Sequence, residues 1–307
     1  MNAIVLTPPP SEPGTQPLTD GRVAKRRRRR RGPGERINLS ATVIAVLLGM
    51  VFILPALWIV VGSLRPATEI FGSLYPLSWK LLFPSSISLE NYVELLNDGF
   101  GRALLNSAIV CLATVVIGVT VSVMASYALA VLKFRGRGAV FAFVVISFMV
   151  PFEAIAIPLS GQFTDWNLTN TMIGLILPGI GNGLAIFNLR QFFLGVPESL
   201  REAAKLDGAS EPRILWSVYL PNSGAALTNS ALLIFLGQWT SYLWPLLVVS
   251  DPKLQVAPIA LAKTFSEHSA NFGQNFAGAV LLSLVPALLM FVLQRFFGGL
   301  SMSSGEK

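Results

Sequence analysis

EAAKLDGASEPRILWSVYLP, residues 202–221, is a polar segment set between two long apolar runs. Pro197, just before it, suits the first turn of a helix, where its missing N–H costs no hydrogen bond. Glu198 puts negative charge at the positive end of the helix dipole. Most of ESLREAAKL (198–206) is made of good helix formers. Gly208 is placed to take a left-handed conformation and end that helix. Ser210 is placed to cap a second helix, with Glu211 and Pro212 in its first turn. Ile214, Leu215, Val218 and Tyr219 then share one face, Trp216 lies nearby, and Pro221 interrupts the run. The prediction is a helix, a glycine bend and a short amphipathic helix.

The surroundings of this loop are those of a membrane protein. The 307-residue chain is 53% hydrophobic and only 13% charged, about half the charged fraction usual in soluble domains. Six apolar runs, near residues 39–64, 104–132, 138–160, 170–190, 225–249 and 276–297, are long enough to cross a hydrocarbon core of about 30 Å. Pro151, Pro158 and Pro178 interrupt the third and fourth, which neighbouring helices can tolerate. The fold class expected is therefore all-α, a polytopic membrane protein with six transmembrane helices over residues 39–300. Residues 1–38 are expected to be a disordered tail, and 301–307 a short C-terminal tail. In the loop 65–103, Ser88 is placed to open a short helix resting as a lid on the outer surface, with Tyr92, Leu95 and Leu96 on its apolar side.

Charge sets the orientation. Six spans put both termini on one side, and 18 of the 23 lysines and arginines then fall on the side of the tail. That side is the cytoplasm by the positive-inside rule, so residues 196–221 form a cytoplasmic loop. The six arginines Arg26–Arg31 fit a topology signal that also touches anionic lipid. A nucleic-acid reading rests on the tail alone, with no interleaved aromatics. The single Cys111 allows no internal disulfide, and the single His268 allows no His-rich metal site. No GxxxxGK[ST] is present, so nothing indicates ATP binding through a P-loop. No constellation suited to catalysis appears, and the chain is not expected to be an enzyme or to bind a metal.

The helix–bend–helix at 202–221 has two physical readings. One is an interfacial helix lying on lipid. Against it, the first half is nearly charge-balanced and rich in alanine, with little apolar area to insert. Ala203, Ala204 and Ala209 permit close approach by another protein, so the better reading is a docking element for a cytoplasmic partner.

The same residues resemble the EAA motif of permease subunits of binding-protein-dependent ABC importers. The pattern falls on Glu202, Ala203, Ala204, Gly208, Val218, Leu220 and Pro221 with every spacing met. IFNLRQFFLGVPESL (186–200), NSAIVCLATV (106–115) and GQWTSYLWPLLV (237–248) are similar to the carbohydrate-uptake branch. Gly224 stands where that family often has a second proline, and Thr240 where it often has asparagine. The resemblance implies a type I importer permease fold like the smaller six-span subunit of maltose-type systems. It implies a heterodimer with a second permease subunit, two cytoplasmic ATPase subunits that carry the ATP and Mg, and an extracytoplasmic sugar-binding protein. It further implies that Glu202, Ala203, Ala204, Asp207, Gly208 and Ala209 meet the ATPase.

Polar residues inside the spans are candidates for the substrate path. Glu153 either faces a pathway or reaches the outer interface, since a carboxylate in hydrocarbon is costly. Asn182 and Gln238 either bind sugar hydroxyls or join helix to helix; Asn170, Asn188 and Ser241 are further candidates. Trp239, Tyr242 and Trp244 offer aromatic faces for a sugar ring, with an interfacial belt preferred for Trp244. Gly174, Gly179, Gly181 and Gly183 are expected at close helix contacts. The same architecture carrying another solute, such as glycerol 3-phosphate, is the nearest alternative. The interiors of spans three to five hold no basic residue, which favours a neutral sugar over a phosphate. A secondary transporter is a more distant alternative, for it would not explain the loop.

Overall fold

The computed structural model describes residues 39–66, 69–70, 86–265 and 271–297. The N-terminal tail with Arg26–Arg31, the C-terminal tail, His268 and the middle of the loop 65–103 lie outside the described residues. The chain divides into two compact units, residues 1–51 and 52–307. Helix α1 (Leu39–Ser63) spans that division. In the first unit its described residues are exposed, with Gly49 alone half-buried.

The second unit is all helix among its described residues. After α1 come α2 (Glu90–Leu95), a π-turn at Leu96–Phe100, α3 (Gly101–Ala130), α4 (Arg137–Met149) and α5 (Phe152–Asp165). Next are α6 (Met172–Ile180), α7 (Gly183–Leu194), α8 (Glu198–Leu206), α9 (Glu211–Ile214) and α10 (Leu220–Asn222). The chain ends with α11 (Gly224–Trp239), α12 (Leu243–Val248), α13 (Ala257–Thr264) and α14 (Phe272–Phe297).

Four stretches are long and apolar enough to cross a membrane: α1, α2 with α3, α6 with α7, and α14. Helices α4 and α5 make a fifth only if counted together, because they meet at 95°. Pro151 causes this break: it holds Val150 extended (ψ 122°) at the end of α4 and opens α5. The run at 225–249 is not one long helix either. It stops at Thr240 after 16 residues and restarts as the six-residue α12. The molecule is thus a multi-pass, all-α membrane protein, and its sequence runs overstate how many helices are continuous.

Helix α3 is the axis of the packing, buried against α6, α7 and α11 through one side. Gly118, Ser122 and Ser126 line that side at four-residue spacing, and small residues let helix backbones approach in a membrane. Three apolar clusters lie along it. Leu95, Phe100, Ala257 and Ala277 form one near its start, and Val110, Leu175, Trp244 and Val248 belong to the next. Tyr127, Leu189, Phe193, Ile214 and Tyr219 belong to the third, at its far end.

Polar clamps fix the start of α3 to distant chain. Asn106 donates to the carbonyls of Lys253 and Gln255 (3.0 and 2.8 Å), and the Ser107 hydroxyl accepts from the Ala257 N–H (2.8 Å). Asn91 donates to the carbonyls of Ser63 and Arg65 (2.9 and 2.6 Å). The Ser88 hydroxyl does accept from the Glu90 N–H (3.2 Å). The short helix it opens is set off from α3 by a kink at Gly99 (φ +93°) inside the π-turn.

Candidate functional site

The loop between α7 and α11 has the predicted helix–bend–helix form. Pro197 is the residue before α8, one position earlier than expected, and Gly208 ends the helix with φ +76°. The Gly208 and Ala209 N–H groups return to the carbonyls of Lys205 and Ala204 (2.9 and 3.0 Å), which closes the C-terminus of α8. Ser210 sits at the start of α9 in extended conformation, but its hydroxyl makes no capping bond.

One side of this loop is glued to its own protein. Ile214 and Tyr219 are 0% and 3% exposed, and they pack with Phe193 and Tyr127. The rings of Tyr127, Tyr219 and Phe193 meet edge to face, with centroids 5.2–6.5 Å apart. Ala204 and Ala209 are half-buried and pack against the same cluster. Glu202, Ala203, Asp207 and Gly208 are exposed, and Leu206 at the apex is 90% exposed. The motif spacing drew attention to the glutamate and glycine and passed over Leu206.

An ionic knot inside the loop was also invisible in the sequence. Glu211 Oε1 accepts from Arg201 (2.7 Å) and pairs with Lys205 (2.9 Å), while Oε2 accepts from the Tyr127 hydroxyl (2.6 Å). Burial alone would raise the Glu211 carboxyl, but hydrogen bonds from Tyr127, Lys205 and Arg201 outweigh it and hold it down at about 2. The pairing reaches ten residues back in sequence, outside the i+4 register that helical periodicity reveals.

A second site is a cavity of about 550 Å³ where α5, α6, α11 and α12 meet. It is opened by the breaks in the helices: Pro151, Gly181–Asn182 and Thr240–Tyr242 interrupt the elements that line it. Glu153, Asn182, Gln238, Ser241 and Tyr242 all line it, with Thr240. Asn182 also caps α7, its side-chain oxygen accepting from the Ala185 N–H (2.9 Å), and Gln238 donates to the Leu175 carbonyl (3.3 Å). Both therefore join structure and face the cavity, so the two alternatives open for them are compatible.

Trp239 is elsewhere. It is 3% exposed, its indole donates to the Leu282 carbonyl of α14 (2.9 Å), and it is not among the lining residues. Helical geometry turns neighbours by about 100°, so Gln238 and Trp239 leave α11 in different directions. Trp244 is not a belt residue. It is buried, donates to the Gly174 carbonyl (2.9 Å) and meets Phe163 edge to face at 4.8 Å. Asn170 accepts from the N–H groups of Ser250 and Asp251, and Asn188 donates to Ala226 and Ser230, so both hold helices together. Gly174, Gly179 and Gly183 are close contacts, whereas the space beside Gly181 is open. Among the described residues no group of three or more His, Cys, Asp or Glu is arranged to hold a metal ion.

Residues 118–299, which contain the loop and the cavity, match the family model of the binding-protein-dependent transport system inner membrane component. The chain belongs to this family. Relatives of this ABC importer permease include the arabinooligosaccharides transport system permease protein AraQ of Halalkalibacterium halodurans, 33% identical over 83% of this chain and 91% of that one. The sn-glycerol-3-phosphate transport system permease protein UgpE of Rhizobium meliloti is 30% identical over 85% of this chain and 94% of that one. In structure the permease is similar to a chain of a bacterial ABC transporter involved in the import of the acidic polysaccharide alginate. The TM-score is 0.72 at 24% identity, over 84% of this chain and 96% of that one. That likeness supports the fold, all-α and multi-pass.

Proposed function

We propose that this permease forms half of the translocation pathway for a neutral sugar or oligosaccharide, and that residues 196–221 couple it to cytoplasmic ATPase subunits. The observation that carries the coupling is the two-sided loop. Its inner side is packed on α3 and α7, while Leu206, Glu202, Ala203, Asp207 and Gly208 face outward. In this reading a second permease subunit completes a heterodimer. Two ATPase subunits hold the ATP and Mg, and an extracytoplasmic binding protein delivers the sugar. Both termini lie in the cytoplasm. Six crossings are made by α1, α2 with α3, α4 with α5, α6 with α7, α11 with α12, and α14, with 1–38 and 301–307 as tails.

The cavity supports a neutral solute. Among its lining residues the only charged side chain is Glu153, and none is basic. Amide and hydroxyl groups of Asn182, Gln238, Thr240 and Ser241 suit sugar hydroxyls, and the Tyr242 ring suits an apolar sugar face. Glycerol 3-phosphate remains the second reading because of the UgpE relative, but a phosphate beside Glu153 would meet a like charge. Uptake into proteoliposomes holding the whole importer decides between them. Labelled arabinooligosaccharide is expected to enter and glycerol 3-phosphate not to; the reverse would assign the phosphate.

A further inference from the structure

We propose that the Tyr127–Glu211 bond is the joint through which the loop moves helix α3, with Tyr127 and Glu211 as positioning residues for transport. This rests on the reading of 196–221 as the coupling element.

The geometry singles out this bond. Glu211 begins α9 and uses both carboxylate oxygens: one takes Arg201 and Lys205 of α8, the other takes Tyr127 of α3. The carboxylate therefore locks the two loop helices to each other and ties both to the span. The Arg201 side chain is only 12% exposed, while Glu211 and Lys205 are 33% and 46% exposed, so the knot is sheltered on its inner side, where Tyr127 meets it. A hydrogen bond to an ionised acceptor is directional and stronger than a neutral one. Tyr127 is 4% exposed and wedged between Tyr219 and Phe193, so its hydroxyl has a fixed aim.

From that joint α3 is a continuous helix to its far end. The next residue, Ser126, donates to the Ile186 carbonyl of α7 (2.8 Å). Farther along, Gly179 of α6 sits so close to Thr114 of α3 and Gln238 of α11 that an added Cβ would meet each at 2.6 Å. Gln238 and Gly179 line the cavity. A displacement entering at Glu211 thus reaches the cavity wall through one rigid helix and three side chains.

The test uses the complete importer in proteoliposomes, with Tyr127→Phe, Glu211→Gln and the double variant. Tyr127→Phe keeps the ring and its packing and removes only the hydroxyl, so it carries the test even if Glu211→Gln assembles poorly. Crosslinking from Leu206→Cys to the ATPase subunit monitors docking separately. Expected are an unchanged crosslink, ATP hydrolysis retained, and sugar transported per ATP reduced about tenfold, the scale of one charge-assisted hydrogen bond. The double variant is expected to be no worse than Glu211→Gln alone, which already weakens the Tyr127 link along with the Arg201 and Lys205 pairs. Transport per ATP within about twofold of the parent in Tyr127→Phe, or additive losses in the double variant, overturns the joint while leaving the docking reading intact. Absence of the crosslink in the otherwise unaltered chain overturns the docking reading and the joint with it.

Discussion

Gly208 shows what one residue does for the loop and what it does not. Its φ of +76° strains any L side chain by roughly 1 kcal/mol. An added Cβ there meets nothing within 4 Å, so the cost of alanine is backbone strain alone. Gly208→Ala is therefore expected to leave the permease folded and in the membrane, and to weaken ATPase recruitment about fivefold through backbone strain. Co-purification of the ATPase subunit against permease level measures this. A much larger loss for Gly208→Asp would then report a clash or charge on the partner's side. Glu211 gives a pH signature. Its carboxyl is held at about 2 against an ordinary 4.5, so its stabilisation is full above about 4.5 and is lost as pH falls toward 2. Thermal unfolding in detergent should separate Glu211→Gln from the parent at neutral pH, and the gap should close in that acid window. A gap unchanged at low pH would mean that the ion pairs contribute no stability.

At the scale of elements, the sequence reveals what is local and hides what is cooperative. Period and turn residues place α8, the bend and the start of α9 to within a residue, because each signal acts within one turn, but not the π-helical winding of 215–219 that follows. The breaks that open the cavity are less legible. A proline in an apolar run signals interruption, but only tertiary packing decides between a mild kink and the 95° corner at Pro151. The end of α11 at Thr240 has no proline of its own, and Pro245 of the run 225–249 falls in the first turn of α12, beyond the break. Trp239 illustrates the same limit: its type suits a sugar platform, but α14 supplies a carbonyl that takes its N–H. Packing between elements also yields a prediction. Gly179→Ala sets a methyl against Thr114 and Gln238 at 2.6 Å, an overpacking of about 1–3 kcal/mol. Sugar uptake should fall at least severalfold while the ATPase still binds. Wild-type uptake would show that α6 has room to shift.

At the scale of the whole molecule, orientation rests on charge bias, which only labelling can check. A cysteine at Leu206 in a cysteine-free chain is expected to be protected from an impermeant thiol reagent in intact cells, and one at Lys253 to react. Both side chains are exposed, so burial does not confuse the result, as it would at the half-buried Ala209. The opposite pattern would invert the topology.

The clamp at the start of α3 also sets a schedule for biosynthesis. Asn106 and Ser107 are needed by residues 149 and 150 positions later. A ribosome adding about 5–20 residues each second needs roughly 7–30 s to supply those partners. For that interval α3 is a nascent span carrying an unmatched amide and hydroxyl, with no Gln255 or Ala257 yet made to receive it. A chain stalled before residue 250 should therefore be held by the insertion machinery or degraded. Asn106→Leu, which removes the waiting amide, should make the stalled chain longer-lived while weakening the finished one.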